Sequence, residues 1–270
     1  MSRPNLVKPR ILKPRSFKAD STLVSAVCPA VNVEPRRGVK APSLLILHYT
    51  GMSSAAKAID WLAREESKVS CHYVIDEQGG ITQMVPERLR AWHAGVSYWR
   101  GSTDINSCSI GIEIQNPGHE HGYPDFPAKQ MTAVIALSKI IVKRHAIAPS
   151  GVLAHSDVAP ERKIDPGEKF NWAEMAQHGL GLWVRPSPVK SADRGLSIGD
   201  KGSVVLKAQA MLGRYGYKIQ PTGELDSATA KVLRAFQLHF RPKRVDGRLD
   251  RSTILTLSRL ITAADKEKAT

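Results

Sequence analysis

The feature that most constrains the fold is a continuous apolar run that ends in a histidine. Residues 43–48 read Ser-Leu-Leu-Ile-Leu-His, without the alternation expected of a strand that has one face in water. Such a run is typical of a strand covered on both faces, as in layered α/β domains. His48 then lies at the carboxyl end of the strand, where α/β sheets place their ligand sites.

Strand and helix patterns alternate along the chain to about residue 183. Apolar or period-two patterns predict further strands at 72–76, 81–85, 109–115 and 151–155. Helical spacing predicts helices at 54–66 and 128–145. We therefore expect an α/β domain over residues 41–184, with a mixed central sheet flanked by helices.

The last third of the chain has a different organisation. A Pro- and Ser-rich stretch at 185–195 predicts a linker, and a small helical domain is expected at 196–262, followed by a tail at 263–270. An internal repeat lies in this domain, because Gly223–Thr229 (GELDSAT) recurs 24 residues later as Gly247–Thr253 (GRLDRST). In each copy the Gly permits a turn and the Asp can cap the next helix, which predicts a three-helix domain.

The chain is strongly basic. It has 39 Lys and Arg against 25 Asp and Glu, a formal net charge of +14. Residues 196–262 have 12 Lys and Arg against 5 Asp and Glu, so this part alone carries +7. Such a balance favours a polyanionic partner, which could be nucleic acid, an anionic membrane or a cell-wall polymer. The charge alone does not choose among them.

No targeting or membrane-spanning segment is predicted. The basic lead-in at residues 1–40 is expected to be poorly structured and lacks the apolar core of a secretory signal. A run of about 18 apolar residues, as a transmembrane helix needs, is also missing. Three cysteines without a CxxC pair are typical of free thiols in a reducing compartment. We expect a cytoplasmic location, with the periplasm or envelope as the alternative, and a monomer.

Two histidines and an aspartate stand at positions suited to a metal ion. His48 and His155 both end predicted strands, and Asp165 follows His155 by ten residues. Two imidazoles and one carboxylate form a common catalytic zinc set that leaves a fourth position for water. In an extended segment, Lys163 points to the same side as Asp165. The spacing alone leaves open whether these residues are ligands or structural.

The predicted strand at 109–115 carries a further candidate. Its isoleucines occupy one face, whereas Ser109, Gly111 and Glu113 occupy the other. Glu113 stands two residues from the glycine, which leaves room for another group to approach. It is either a solvated residue on an open sheet face or a general base beside a metal-bound water.

Five motifs occur in order along this domain. They are His48–Thr50 (HYT), Cys71–Ile75 (CHYVI), Ala91–Gly95 (AWHAG), Asn106–Glu113 (NSCSIGIE) and His155–Gly167 (HSDVAPERKIDPG). Together they resemble the zinc-dependent N-acetylmuramoyl-L-alanine amidases of the amidase-2 type, in the AmpD/AmiD branch. This group shares its fold with peptidoglycan-recognition proteins. The C-terminal domain resembles a peptidoglycan-binding three-helix domain.

The resemblance implies roles for five residues and one cofactor. His48, His155 and Asp165 would hold one Zn²⁺ per chain, Glu113 would be the acid/base residue, and Lys163 would be the cation near the developing oxyanion. In phage-lysozyme-like members a catalytic Tyr precedes the His of the second motif. Cys71 stands at that position here, and we expect it to be a packed thiol.

Four further motif residues are candidate substrate contacts: His93, Trp92, His72 and Asn106. His93 and Trp92 either line the substrate groove or pack in the core, and the same two interpretations apply to Trp99. His72 is either structural or in contact with substrate. Asp157 either orients a metal ligand from behind or caps a local turn.

The resemblance implies hydrolysis of the amide bond between N-acetylmuramic acid, or its 1,6-anhydro form, and L-alanine of the peptidoglycan stem peptide. Wall turnover and muropeptide recycling both use this reaction. The alternative is a protein that recognises peptidoglycan without cutting it, although all three ligand types are present. A nucleic-acid binder fits the charge but no motif. We therefore expect peptidoglycan or a muropeptide as partner, with no nucleic acid and no integral membrane association.

Overall fold

The protein is described here by a computed structural model that covers residues 16–269. The strands of this part are β1 (Ala26–Val27), β2 (Val33–Pro35), β3 (Leu44–Tyr49), β4 (Tyr73–Ile75), β5 (Ile81–Gln83), β6 (Leu89–Ala91), β7 (Ser109–Ile114) and β8 (Val152–Ala154). The α-helices are α1 (Ala55–Ala63), α2 (Ile105–Cys108), α3 (Ala128–His145), α4 (His155–Val158), α5 (Trp172–Gln177), α6 (Ser203–Tyr215), α7 (Ser227–Phe240) and α8 (Arg251–Ala269).

Six of the strands form one mixed sheet in the order β1-β5-β4-β7-β3-β8. Strands β4, β7, β3 and β8 are parallel to one another, whereas β5 is antiparallel to β4. Strands β2 and β6 form a separate antiparallel pair. The parallel run brings the carboxyl ends of β3, β7 and β8 to one edge of the sheet. The predicted fold class, a mixed sheet flanked by helices, is confirmed.

Strand β3 is buried on both faces, as its apolar run predicts. Leu45 and Leu47 pack in the cluster that includes the apolar side of α3, whereas Leu44 and Ile46 belong to a second cluster on the other face. The bounds of α3 agree with the predicted helix at 128–145. The buried residues of α3 therefore pack on one face of the sheet.

The C-terminal part forms the expected three-helix domain from α6, α7 and α8. Asp226 caps α7 by accepting from Thr229 N at 2.7 Å, and Asp250 caps α8 by accepting from Thr253 N at 2.6 Å. The two copies of the internal repeat therefore begin two consecutive helices in the same way.

A buried glutamine on the preceding helix forms hydrogen bonds with the backbone of each repeat. Gln209 of α6 accepts from Gly223 N, and Gln237 of α7 accepts from Gly247 N, both at 2.8 Å. Each side-chain amide also donates to a backbone carbonyl of its own repeat. The duplication thus includes the glutamine as well as the visible seven-residue motif.

Two predicted boundaries differ from the structure. The segment predicted as a tail from residue 263 continues α8 to Ala269, because buried Ala264 still packs on the core of the domain. Residues 16–40 of the predicted unstructured lead-in form β1 and β2, which pair with β5 and β6. The rest of that lead-in, residues 1–15, lies outside the described residues.

The predicted linker is irregular in backbone but is not free. Ser187 accepts from the Ser252 hydroxyl at 2.6 Å and donates its N–H to Thr256 Oγ1 at 3.0 Å. Arg244 donates to the carbonyl of Asp193 at 3.0 Å. These bonds hold the segment against the C-terminal domain, so it cannot act as a flexible tether.

The two domains share one hydrophobic cluster. It joins residues of the first domain, such as Ile46 and Trp99, to residues of the helical domain, such as Tyr215 and Phe236. Trp99 is 2% exposed and meets the rings of Tyr215 and Tyr217 edge to face, with centroids 5.5 and 5.1 Å apart. The domains therefore fold against each other and not as separate bodies.

Candidate active site and metal centre

The site is built on two neighbouring parallel strands. His48 of β3 and Glu113 of β7 are partners in the strand register, so their side chains project from the same face of the sheet. His48 Nδ1 lies 4.0 Å from Glu113 Oε1. His155 begins α4 directly after β8, and Asp165 follows in the loop beyond that helix. All four meet at the carboxyl edge of the sheet.

Three of these side chains form a tight buried cluster. The Nδ1 atoms of His48 and His155 are 2.9 Å apart, and Asp165 Oδ2 lies 3.3 Å from the first and 3.0 Å from the second. The structure thus brings together His48, His155 and Asp165, although 107 residues separate the two histidines. Among the described residues, this cluster has the composition and spacing needed to hold a metal ion.

The proton positions on His48 follow from a chain of hydrogen bonds behind it. The Ser109 hydroxyl donates to the carbonyl oxygen of Ile105 at 2.6 Å, so its oxygen accepts from His93 Nε2–H at 3.1 Å. Burial and the neighbouring His48 hold the pKa of His93 well below its usual value, so His93 is neutral. Its bare Nδ1 then accepts from His48 Nε2–H at 3.0 Å. His48 Nδ1 is left with a lone pair that faces the cluster.

His155 reaches the same state by a shorter path. Its Nε2–H donates to the backbone carbonyl of Ala94 at 3.2 Å, which leaves Nδ1 without a proton. Burial, and then the nearby His155, lower the pKa of His48 to about 4, so the His48 imidazole is suited to act as a neutral ligand near pH 7.

Three lone pairs therefore converge with no proton between them, an arrangement that a cation would stabilise. Atoms bonded at about 2.0–2.1 Å to one tetrahedral zinc ion lie about 3.3 Å apart, close to the separations found here. Two imidazoles and a carboxylate suit zinc, whereas Mg²⁺ and Ca²⁺ prefer oxygen ligands throughout. The residues present fit a zinc ion.

Glu113 stands beside the cluster with one carboxylate oxygen that is not hydrogen-bonded within the described chain. Its Oε2 is buried and has no hydrogen-bond partner among residues 16–269. Burial, and then the charge of Asp165, raise the pKa of Glu113 well above its usual value, while Lys163 opposes this rise. Lys163 lines the same cleft, so a cation stands beside the cluster.

A cleft of about 630 Å³ opens over the cluster. Its walls include His93, Glu113 and Lys163, which were predicted as site residues. Tyr49 and His119 form another part of the wall, and the Tyr49 hydroxyl lies 3.1 Å from His119 Nδ1. The volume lies within the range of pockets that hold drug-sized ligands.

The other three predicted substrate contacts do not line this cleft. Asn106 is buried, and its Oδ1 accepts from the backbone N–H groups of His93 and Ala94 at 3.0 and 2.7 Å. His72 is fully buried and accepts from Gly111 N at 3.0 Å, and Trp92 is half-buried outside the cleft wall. The hydrogen bonds of Asn106 and His72 support the backbone around the site.

Three more residues that the sequence singled out are buried and do not line the cleft: Cys71, Trp99 and Asp157. Cys71 is fully buried, and burial raises the pKa of its thiol, as expected of a packed thiol. Trp99 lies between the domains and not in the groove. Asp157 accepts from Ala154 N at 2.9 Å, which caps α4, but it also bonds side chains of the helical domain. The cap is one of the two roles that the sequence left open for Asp157, and the bonds to the helical domain were not predicted.

Two residues near the site gave no sequence signal for their roles. Arg36 is half-buried in the segment predicted as unstructured, and its guanidinium donates to the carbonyls of Glu87, Ser107 and Ser109 at 2.7–2.9 Å. Trp61 of α1 is 42% exposed and lines the cleft.

Comparisons with known proteins agree with this geometry. The sequence model of the N-acetylmuramoyl-L-alanine amidase family matches residues 38–168, and that of a peptidoglycan binding domain matches residues 201–257. The chain is 37% identical over 228 residues to N-acetylmuramoyl-L-alanine amidase AmiD of Escherichia coli (strain K12). That match covers 78% of this chain and 79% of AmiD.

Solved structures extend the likeness to both domains. The complex of E. coli AmiD with the substrate anhydro-N-acetylmuramic acid-L-Ala-D-γ-Glu-L-Lys matches with a TM-score of 0.70 and 33% identity, over 84% of this chain and 93% of that chain. AmpDh3 of Pseudomonas aeruginosa matches with a TM-score of 0.67 and 31% identity, over 83% and 94%.

A buried cluster of two histidines and an aspartate, with a further carboxylate beside it, is an arrangement typical of metal-dependent hydrolases. Given the matches over most of its length, the chain belongs to the N-acetylmuramoyl-L-alanine amidase family, as the five motifs predicted. Its C-terminal side carries a peptidoglycan binding domain. No helix within residues 16–269 is long and apolar enough to cross a membrane.

Proposed function

We propose that this chain is a zinc-dependent amidase that cleaves the bond between N-acetylmuramic acid, or its 1,6-anhydro form, and L-alanine of the stem peptide. The observation that carries the proposal is the convergence of His48, His155 and Asp165 beside Glu113. The family match supports it, and the structure of the relative AmiD holds a substrate with this bond.

One zinc ion per chain would be held by His48, His155 and Asp165. When bound, it would supply a Lewis acid that lowers the pKa of water to about 7 and polarises the scissile carbonyl. His93 and Ser109 contribute by keeping the lone pair of His48 directed at the site. Groups behind metal-binding histidines commonly set ring orientation and basicity in this way.

Glu113 is the proton carrier in this proposal. Its Oε2, which has no other partner among the described residues, takes a proton from the attacking water and passes it to the departing amine. Lys163 at the cleft wall stabilises the negative charge that develops on the carbonyl oxygen. Loss of a single such donor typically costs about 10²–10³ in rate, so Lys163 is important but less absolute than the ligands.

The substrate and partner are peptidoglycan or its fragments. The cleft is large enough for a muramyl peptide, and Tyr49, Trp61 and His119 supply aromatic walls for it. A protein that only recognises peptidoglycan needs no ligand set, whereas all three acceptors are present here. No nucleic-acid partner is proposed, because peptidoglycan is itself an anionic polymer that the basic surface can bind.

Metal analysis together with an amidase assay tests the proposal. Protein purified without added zinc should contain close to one equivalent, and it should release the peptide from soluble anhydro-muropeptide. Removal of the metal by a chelator should stop the release, and added zinc should restore it. Hydrolysis by protein that holds no metal would contradict the zinc assignment. Comparison of rates on soluble anhydro-muropeptide and on purified sacculi identifies the preferred form of substrate.

A further inference from the structure

A groove runs from the active-site cleft onto the C-terminal domain. Its first wall is the segment Pro160–Ile164, which links α4 to the ligand Asp165, and its second wall is the exposed side of α7. It comprises two adjoining recesses of about 280 and 150 Å³, which share Pro160, Glu161 and Arg162. Arg162, Lys163 and Ile164 also line the active-site cleft, so the groove adjoins the cleft along this segment.

The groove is lined by cations that have no acidic partner. The basic side chains are Arg162, Lys163, Lys218, Lys231 and Arg234, and Glu161 is the acidic side chain of the lining. None of the five cations forms an ion pair with an acidic residue of the described chain; the pairs found there involve other residues. Like charges gathered around a concave surface raise the local potential and attract an anion.

The two walls are fixed relative to each other. Asp157, at the start of the first wall, accepts from Tyr217 Oη–H at 2.5 Å and lies 2.6 Å from Nδ1 of His239 on α7. The ring of His239 stacks on Trp172 of the first domain, with centroids 3.7 Å apart. The groove is therefore a permanent feature of the fold and not a gap between loosely tethered domains.

We propose that this groove binds the carboxylates of a second, uncleaved stem peptide of polymeric peptidoglycan while the cleft holds the stem that is cut. The inference rests on the proposed amidase function. Stem peptides carry free carboxylates, which match the cations that the groove does not share with the cleft: Lys218, Lys231 and Arg234. The shared wall places a neighbouring stem within reach of them. The recesses are at or below the lower end of ordinary ligand-pocket size, as expected for about one or two residues of an extended peptide.

A charge-reversal variant tests the groove directly. Lys231→Glu/Arg234→Glu alters two exposed side chains of α7 that lie outside the catalytic machinery. The matched control is Lys207→Glu/Lys243→Glu, which alters two exposed cations of the same domain that line neither recess. Both variants lower the formal net charge from +14 to +10, because each reversal changes the charge by two. A milder pair, Lys231→Gln/Arg234→Gln, keeps the test open if the reversal impairs folding.

We expect the groove variant to lose about tenfold in kcat/KM on cross-linked muropeptide dimers, and the control to lose little. Hydrolysis of a monomeric muropeptide should be unchanged in both, because a single stem occupies only the cleft. The loss should shrink as salt rises, since exposed charges are screened. Equal losses in groove and control variants, or no loss in either, would overturn the proposal.

Binding separates this inference from the amidase proposal. The affinity for the cross-linked dimer can be measured in a Glu113→Gln background, where no hydrolysis is needed. If the wild-type chain cleaves nothing, the amidase proposal fails, while the dimer-binding difference still tests the groove. If the groove variant loses affinity for teichoic acid or DNA but keeps its affinity for the dimer, the groove serves a phosphate polymer and the stem-peptide assignment is wrong.

Discussion

His239 of the C-terminal domain lies with its Nδ1 2.6 Å from the carboxylate of Asp157, two residues after the metal-site residue His155. Asp157 is fully buried, and its other oxygen accepts from Tyr217 Oη–H at 2.5 Å. Two side chains of the helical domain thus hold the short helix that begins with His155. The peptidoglycan binding domain is part of the support of the active site and not an appendage.

Truncation after Val184 should therefore destabilise the catalytic domain. The cut would expose Trp99, which packs against Tyr215 and Tyr217. Re-exposing a buried aromatic side chain of about 150–250 Å² costs roughly 4–6 kcal/mol, a large part of the 5–15 kcal/mol that stabilises an ordinary domain. Calorimetry should show a single unfolding transition in the full chain and a much lower Tm in the truncated one. Two independent transitions, or an unchanged Tm, would contradict the shared core.

The bond between Tyr217 and Asp157 can be tested alone. Tyr217→Phe leaves a buried carboxylate oxygen without its donor and should lower the free energy of unfolding by about 1–3 kcal/mol. Tyr98→Phe is the control, because Tyr98 is half-buried and its hydroxyl has no hydrogen bond among the described residues. Chemical denaturation of both variants gives the comparison. Equal effects would mean that the interdomain bond contributes nothing specific.

Ser109→Ala should weaken zinc binding without removing a ligand. The hydroxyl accepts from His93 Nε2–H and so directs the lone pair of His48 toward the metal site. Loss of such outer partners typically costs about 10–100-fold in metal affinity. Ser138→Ala removes another buried hydroxyl, one without a hydrogen-bond partner in residues 16–269, and should leave the affinity unchanged. Competition with a chromophoric chelator measures both; equal zinc affinities would refute the relay.

Glu113→Gln should abolish hydrolysis while the metal remains bound. The amide keeps the size of the side chain but cannot take the proton from water, and loss of a general base typically costs about 10²–10⁴ in rate. Glu120→Gln, at the same cleft wall, should keep near wild-type turnover. If Glu113→Gln loses its zinc, Glu113 is a ligand and the role of Asp165 must be reassigned. Rates and metal content are measured on the same preparations.

Glu87 should make stability fall at acid pH. Burial would raise the pKa of Glu87, but bonds from His145, Tyr73 and Arg144 outweigh it and lower the pKa to about 2. The ionised form is thus favoured in the folded state, and this stability is complete above the unfolded pKa near 4.5 and lost as the pH falls through about 2.

The contribution of Glu87 should reach about 3 kcal/mol near neutral pH. Glu87→Gln should therefore flatten the decline of unfolding free energy between about pH 4.5 and pH 2. Glu66→Gln, at an exposed position, should keep the wild-type slope. The two slopes come from denaturation series at several pH values, and an unaltered slope in Glu87→Gln would refute the assignment.

Features that depend on local pattern were predictable from the sequence. The apolar run of β3 fixed its burial on both faces, and the alternation in β7 placed Glu113 opposite the isoleucines. Gly111 has a clear reason: a Cβ there would lie 2.5 Å from the ring of His93. The sequence showed that something approaches this glycine, but not that it is a histidine.

Features that depend on contacts between distant segments were not predictable. Asp157 reads as a helix cap, because its cap partner is three residues away, whereas His239 is 82 residues away. Arg36 reads as part of a basic lead-in, because its partners are backbone carbonyls that carry no sequence signal. The contacts of the predicted linker at 185–195 were missed for the same reason. Composition indicates how stiff a segment is, but not which surface it packs against.

The shared hydrophobic cluster has a consequence for work on an insoluble substrate. An enzyme with a flexible linker can bind the polymer once and reach many neighbouring bonds with its active site. In this chain the binding domain and the active site are held at one fixed distance and angle. Each binding event then places a single amide bond of the polymer in the active site. The rate of cleavage is then set by how often the whole molecule dissociates from the polymer and binds again. Beyond some affinity, tighter binding of the polymer therefore lowers the rate of cleavage.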